Sequence, residues 1–206
     1  MLKSVFRFIG IFCLTVIMVL SAAFFYAGRL PVAVSAFREN IQEERIARQL
    51  FEAYNVMDNT FHFELPGSWY THEVSFTGGE ILYHMNFVSQ DKRIYGLVQA
   101  WKLSKPMKQF IEESQKSVTG VVDFKYFDIK EIVINSRKGY LMEYSRANQA
   151  GEYNKAYEIF IEGPSKKMYR LSFFVPEKEW RNYYNILFER IAHSVRINEK
   201  GTAMNQ

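Results

Sequence analysis

SWYTHEVSFTGGEILYHMNF, running from Ser68 to Phe87, decides how this chain is read. Apolar and polar residues alternate on both sides of Gly78-Gly79, the period of a strand whose successive side chains point to opposite faces. Tyr70, His72, Val74 and Phe76 share one face of the first arm, and Ile81, Tyr83, Met85 and Phe87 form the apolar face of the second. These faces coincide if Phe76 opposes Ile81 and Val74 opposes Tyr83. Thr77 then meets Glu80, with Gly78-Gly79 as the two-residue turn whose positive φ angles glycine supplies. The stretch also holds two histidines, which raises the question of a metal. In this register His72 opposes Met85, His84 opposes Glu73 on the other face, and the histidines point away from each other. A three-residue turn with a bulge would bring them opposite, but it would pair apolar with polar residues along the hairpin. The expectation is an ordinary antiparallel hairpin without a metal site.

The next segment agrees. With Ser89–Lys92 as a loop, Ile94, Gly96, Val98 and Ala100 extend the same apolar face, and the small Gly96 and Ala100 would leave room for a closely packed helix. Strand-like runs cover Phe61–Leu65, Ser68–Phe76, Glu80–Val88 and Arg93–Lys102. A second series covers Val122–Ile134, Gly139–Ala147, Glu152–Glu162 and Met168–Val175. Between the series, KPMKQFIEESQKSV places Met107, Phe110, Ile111, Ser114 and Val118 on one helical face. After Pro176, Trp180, Tyr184, Leu187, Phe188, Ile191 and Val195 make a second helical stripe. Turns at Asn148–Gly151 and Gly163-Pro164-Ser165 favour antiparallel neighbours over βαβ crossovers. The fold class this implies is α+β, an antiparallel sheet covered by helices, in one core.

Upstream, Phe8 to Gly28 carries no charge, and as a helix it would reach roughly 30 Å, the thickness of a bilayer's hydrocarbon core. Lys3 and Arg7 precede it; Arg29 and Pro31 close it. A cleaved signal peptide with Ser21-Ala22-Ala23 at its cleavage site is the alternative, but Phe24, Phe25 and Tyr26 prolong the apolar run past a normal signal core. The expectation is a single-pass anchor, N-terminus inside and the C-terminal domain extracytoplasmic, although Arg29, Arg38, Arg45 and Arg48 weaken the charge asymmetry behind that orientation. From Val32 to Tyr54, apolar spacing at Ile46, Ala47, Leu50, Phe51 and Tyr54 predicts a juxtamembrane helix, broken at Asn55–Thr60.

With 48% hydrophobic and 23% charged residues the chain falls outside the disordered, collagenous and disulfide-rich classes. A net charge of +4 is too mild to imply nucleic acid. Cys13, the single cysteine, lies in the apolar run and leaves no internal disulfide or cysteine-based zinc site. No GxSxG elbow, P-loop, GxGxxG, HExxH or EF-hand loop occurs. Each remaining candidate has a plainer account. His62 and Glu64 lack a third ligand; His193-Ser194 fits a surface position on the last helix; Asp123, Asp128 and Glu131 fit an exposed strand edge; Lys166-Lys167 fits a solvated turn. No catalytic, metal or cofactor-binding residue is expected.

FELPGSW, Phe63–Trp69, resembles the strand–turn opening of PsbP-like domains. The close is similar too: KMYRLSFFV, then a helix, then LFERIAHSVRI with Ser194-Val195 ending the domain. The resemblance spans Phe61 to Ile197 and implies an α-β-α sandwich around an antiparallel sheet. That family includes an extrinsic subunit of photosystem II and, by fold, a nuclear import factor that binds a small GTPase, so the resemblance implies a non-enzymatic binding or assembly module. No family site residue matches, and the apolar segment and helical stalk depart from the pattern, so a photosynthetic role is not supported. The resulting expectation is an anchor over 1–30, a helical stalk over 31–58, a PsbP-like domain over 59–198 and a tail over 199–206. Its partners would be the bilayer, through residues 8–28, and a protein at the envelope. An unrecognised envelope hydrolase and a secreted protein are the alternatives.

Overall fold

The computed structural model describes residues 48–118 and 122–198, together with Glu44. The apolar run Phe8–Gly28, most of the stalk and the C-terminal tail lie outside the described residues, and so does Cys13. Among the described residues no helix is long and apolar enough to cross a membrane. The compact unit that carries the sheets begins at Gln49.

Among its described residues this unit has ten strands and two α-helices: β1 (Phe51–Val56), β2 (Phe61–Pro66), β3 (Tyr70–Glu73), β4 (Ile81–Val88), β5 (Tyr95–Lys102), α1 (Met107–Val118), β6 (Phe124–Ile134), β7 (Arg137–Ala147), β8 (Tyr153–Glu162), β9 (Lys167–Pro176), α2 (Tyr183–Ser194) and β10 (Arg196–Ile197). Seven strands pair antiparallel in the order β3-β4-β5-β9-β8-β7-β6, and β1-β2-β10 form a small second sheet. The short loops between sequential strands supply the antiparallel neighbours.

Alternation along the strands gives the large sheet two faces. The inner face carries Met85, Phe87, Val98, Ile159, Leu171 and Phe173, all buried, and it packs against α2 and the small sheet. Phe188 of α2 stacks on Phe173 with ring centroids 4.1 Å apart, and Phe61 of β2 lies 4.6 Å from the Tyr169 ring. The outer face is covered over part of its width by α1, whose Met107 and Ile111 pack with Met142, Phe160 and Met168. The α+β layering expected from the pattern is therefore present.

Four local expectations are corrected. The helix expected to run to Tyr54 gives way to a strand at Phe51, so the domain takes in residues before 59. Pairing with the buried FHFELP strand overrides the end of a short helical spacing: Tyr54 opposes Phe63 and stacks on it at 5.1 Å. The first hairpin is slipped by one residue. His72 pairs with Asn86 and Glu73 with Met85, the strand stops at Glu73, and Val74–Glu80 forms a longer connection. Edge strand β3 puts Thr71 and Glu73, not Tyr70 and His72, on the inner side, where hydroxyls are available: Tyr83 donates to Glu73 Oε1 at 2.7 Å, and Tyr54 lies 3.4 Å from Thr71 Oγ1. Phe76, expected in the core, is 49% exposed. Finally, Gly96 does face inward opposite Phe87, but what stands nearest its open position is the sheet itself: the Ser172 carbonyl on β9 and the Phe87 ring, the latter 2.6 Å from where a Cβ would stand.

Candidate functional site

The slipped hairpin changes the face that His72 takes. His72 and His84 share the outer face, yet His72 is exposed and His84 is engaged elsewhere. Gln99 Nε2 donates to His84 Nδ1 at 2.7 Å, which leaves the ring proton on Nε2 to be donated to Asn86 Oδ1 at 2.9 Å. Among the described residues no three His, Cys, Asp or Glu side chains gather as a metal set.

From His84 a polar network continues across the outer face. Trp101 Nε1 donates to Gln99 Oε1 at 2.9 Å, and Arg170 Nη1 approaches the same oxygen at 3.5 Å. Arg170 directs Nε at Glu158 Oε2, 2.7 Å away, and Nη2 at the same atom. Ser172 donates to Oε2 at 2.5 Å and Tyr144 to Oε1 at 2.6 Å. Strand register explains the convergence: Glu158 opposes Ser172 on β9 and Met142 on β7, so Arg170 and Tyr144 are its diagonal neighbours on the same face. Glu158 is only 2% exposed, and a buried carboxylate needs such partners. Burial, followed by the Glu158 charge, pushes the Tyr144 hydroxyl well above the usual tyrosine range and keeps it a donor.

Trp101, Tyr144, Glu158 and Arg170 of this network line a cleft of about 230 Å³ between α1 and the sheet. Trp101, Phe110, Phe124, Phe127, Tyr144 and Phe160 supply its rings, and Arg146 stands among its lining residues. Phe127 stacks on Tyr144 with planes 14° apart, and Phe124 meets both edge-on. A wider hollow of about 570 Å³ lies beside Pro106, Lys108, Glu131, Val133 and Lys138, and its charged side chains are exposed.

Chemically, the cleft offers recognition surface without a free base. Both Glu158 oxygens accept, both His84 nitrogens are engaged, and Ser114 donates to the Phe110 carbonyl at 2.7 Å. The other sequence candidates are scattered. Ser194 accepts the Glu64 N–H at 2.8 Å and donates to the Ile191 carbonyl, while His193 lies 3.4 Å from Asn135. His62 lies 2.9 Å from Asn55, Asp123 accepts from Tyr153, and Asp128 pairs with Lys130. Lys166 Nζ lies 3.5 Å from the Ser104 carbonyl. Sequence reasoning missed Glu158 and Arg170. Their signal was one charge inside each of two apolar runs, AYEIF and MYRLSF, that become adjacent strands.

Cyanobacterial PsbP (CyanoP) from Synechocystis sp. PCC 6803 superposes with a TM-score of 0.52 at 12% identity, covering 72% of this chain and 92% of that one. Protein PA94 from Pseudomonas aeruginosa gives 0.47 at 10% identity over 72% and 98% of the two chains. LpqN, described as involved in cell envelope biogenesis of Mycobacterium tuberculosis, gives 0.48 at 10% over 75% and 95%. No protein-family model matches the chain, and no curated protein does. The likeness to CyanoP shows a PsbP-like fold, and fold alone does not assign a ligand or an activity.

Proposed function

We propose that this chain is a non-catalytic binding module tethered at the cell envelope by residues 8–28, with the cleft under α1 as its ligand seat. One observation carries the reading: the only carboxylate lining that cleft, Glu158, is buried and held on both oxygens, Oε2 by Arg170 and Ser172 and Oε1 by Tyr144. A general base must reach the proton it removes, and Glu158 is positioned by these donors rather than free to swing to a substrate. The envelope hydrolase remains the second reading, because convergent polar groups in a concave site are also what an enzyme would present. The apolar run Phe8–Gly28 supports the tether, and its signal-like layout supports a C-terminal domain outside the membrane.

The test is in living cells. The full chain, C-terminally tagged, receives a photo-crosslinking phenylalanine analogue at Phe127 in the cleft or, as control, at Phe76 on the hairpin loop. The reading expects a discrete adduct from Phe127 only, on a membrane-bound chain whose tag is removed by protease added to intact cells. Absence of a Phe127-specific adduct would sink the binding seat. A protected tag would sink the outward placement. Turnover of an ester, amide or phosphoester by the purified chain, abolished by Glu158→Gln, would establish the hydrolase instead.

A further inference from the structure

We propose that the cleft takes a small aromatic carboxylate, with its ring among the aromatic side chains and its carboxylate on Arg146. The inference rests on the cleft being a binding seat and adds the chemical class of what it seats.

Size comes first. A cavity of about 230 Å³ is below the roughly 300–1,000 Å³ of sites for drug-sized ligands, so it suits a body of one or two rings. Its walls select a flat, polarisable body. Phe127 and Tyr144 lie nearly parallel, 5.8 Å apart, Phe124 stands edge-on to both, and Trp101 meets Phe110 at 5.9 Å from the α1 side. Rings arranged in this way offer both stacking and edge contacts to an added ring.

Charge then sets the polar end. Two arginines and one carboxylate line the cleft. Arg170 and Glu158 cancel each other at the floor through bonds from Nε and Nη2. Arg146 is different: it is exposed on β7, its guanidinium lies 5.9 Å from the Tyr144 ring, and it has no carboxylate partner among the described residues. The cleft therefore carries one uncompensated positive charge, at its lip, beside an apolar interior. An amine would be repelled there. An aromatic carboxylate satisfies both parts, because its ring leaves water while its charge forms a charge-assisted bond at the exposed rim.

The full chain in lipid nanodiscs, titrated calorimetrically against empty nanodiscs as blank, tests this with 2-naphthoate and its uncharged isostere 2-naphthamide. Naphthoate should bind saturably at one site and at least tenfold more tightly than the amide. Arg146→Gln should abolish that preference without touching the fold, since the side chain is exposed; Phe127→Ala should weaken both ligands. Equal affinities for acid and amide, an acid preference that survives Arg146→Gln, or no saturable binding would each overturn the assignment. If the Phe127 photo-adduct still forms in cells after such a result, the seat stands and only the ligand class falls.

Discussion

Arg170 and Glu158 sit diagonally across the β8–β9 ladder, and Arg170 gives both Nε and Nη2 to a single carboxylate oxygen, Oε2. The partners are unequally placed: the Glu158 side chain is 2% exposed, that of Arg170 26%. Removing one side should therefore not cost the same as removing the other. Arg170→Met strands a buried carboxylate with only Ser172 and Tyr144, and a loss of about 3–5 kcal/mol is expected. Glu158→Gln leaves a guanidinium that can turn to water and keeps an acceptor in place, at a cost of about 1–3 kcal/mol. Urea unfolding of the two variants decides the order. A glutamine variant as damaged as the methionine one would show that burial asymmetry does not govern the pair.

A tyrosine gives the opposite expectation, a substitution that does no harm. The Tyr126 hydroxyl is buried and has no hydrogen-bond partner among the described residues. Burial first, then the Glu143 and Glu177 charges, raises its pKa to about 12. An unfolded tyrosine ionises near 10, so above that pH the unfolded chain releases a proton that the folded one retains. This contribution to stability is whole below pH about 10 and is lost as pH climbs towards 12. Tyr126→Phe should match or exceed the parent by up to about 1 kcal/mol at pH 7, because an unsatisfied group is removed. Its decline between pH 10 and 12 should also be shallower, though not absent, since Tyr157 and Tyr184 are raised as well. Guanidinium unfolding at pH 7 and pH 11 reads both effects, and a large loss at pH 7 would mean that the hydroxyl has a partner.

How far the sequence could be read follows from which contacts decide each element. The sheet strands and both helices announced themselves because burial repeats along them, as Phe87, Val98 and Leu171 show on strands and Leu187, Phe188 and Ile191 on α2. Phe51–Val56 did not, because its short apolar spacing suits a helix until Phe63 is known to lie alongside Tyr54. The hairpin register failed for a related reason. Alternation assumed that Phe76 and Tyr70 sought the core, whereas the inner side of β3 is fixed by Tyr54 and Tyr83 hydroxyls arriving from other strands. The cleft was the least legible feature. Its lining joins residues on five strands, and only the strand order brings Trp101, Phe127, Tyr144, Glu158 and Arg170 together.

Gly96 tests the inner face. A Cβ there would stand 2.6 Å from Phe87 Cζ and would run into the Ser172 carbonyl on β9. Gly96→Ala should destabilise by about 1–3 kcal/mol, the usual cost of overpacking. Adding Phe87→Leu should recover only part of it, because the ring can be shortened but the β9 backbone cannot retreat without breaking its ladder. Thermal unfolding of the single and double variants measures this. Full rescue would place the conflict in the ring alone.

The register of the first hairpin is open to a direct chemical check. Opposed residues on antiparallel strands have Cα atoms about 4.5–5.5 Å apart, within the range a disulfide spans, whereas residues on opposite faces direct their Cβ atoms apart. The structure opposes His72 to Asn86, both exposed, so His72→Cys with Asn86→Cys should form an intrachain disulfide on mild oxidation. Glu73→Cys with His84→Cys should not, although the one-residue-shifted pairing would place those two opposite each other. Both pairs are built in a Cys13→Ser background and read by the mobility shift on non-reducing gels. Linkage of the second pair rather than the first would restore the two-glycine turn, return Phe76 to the core side and separate His72 from His84 across the sheet.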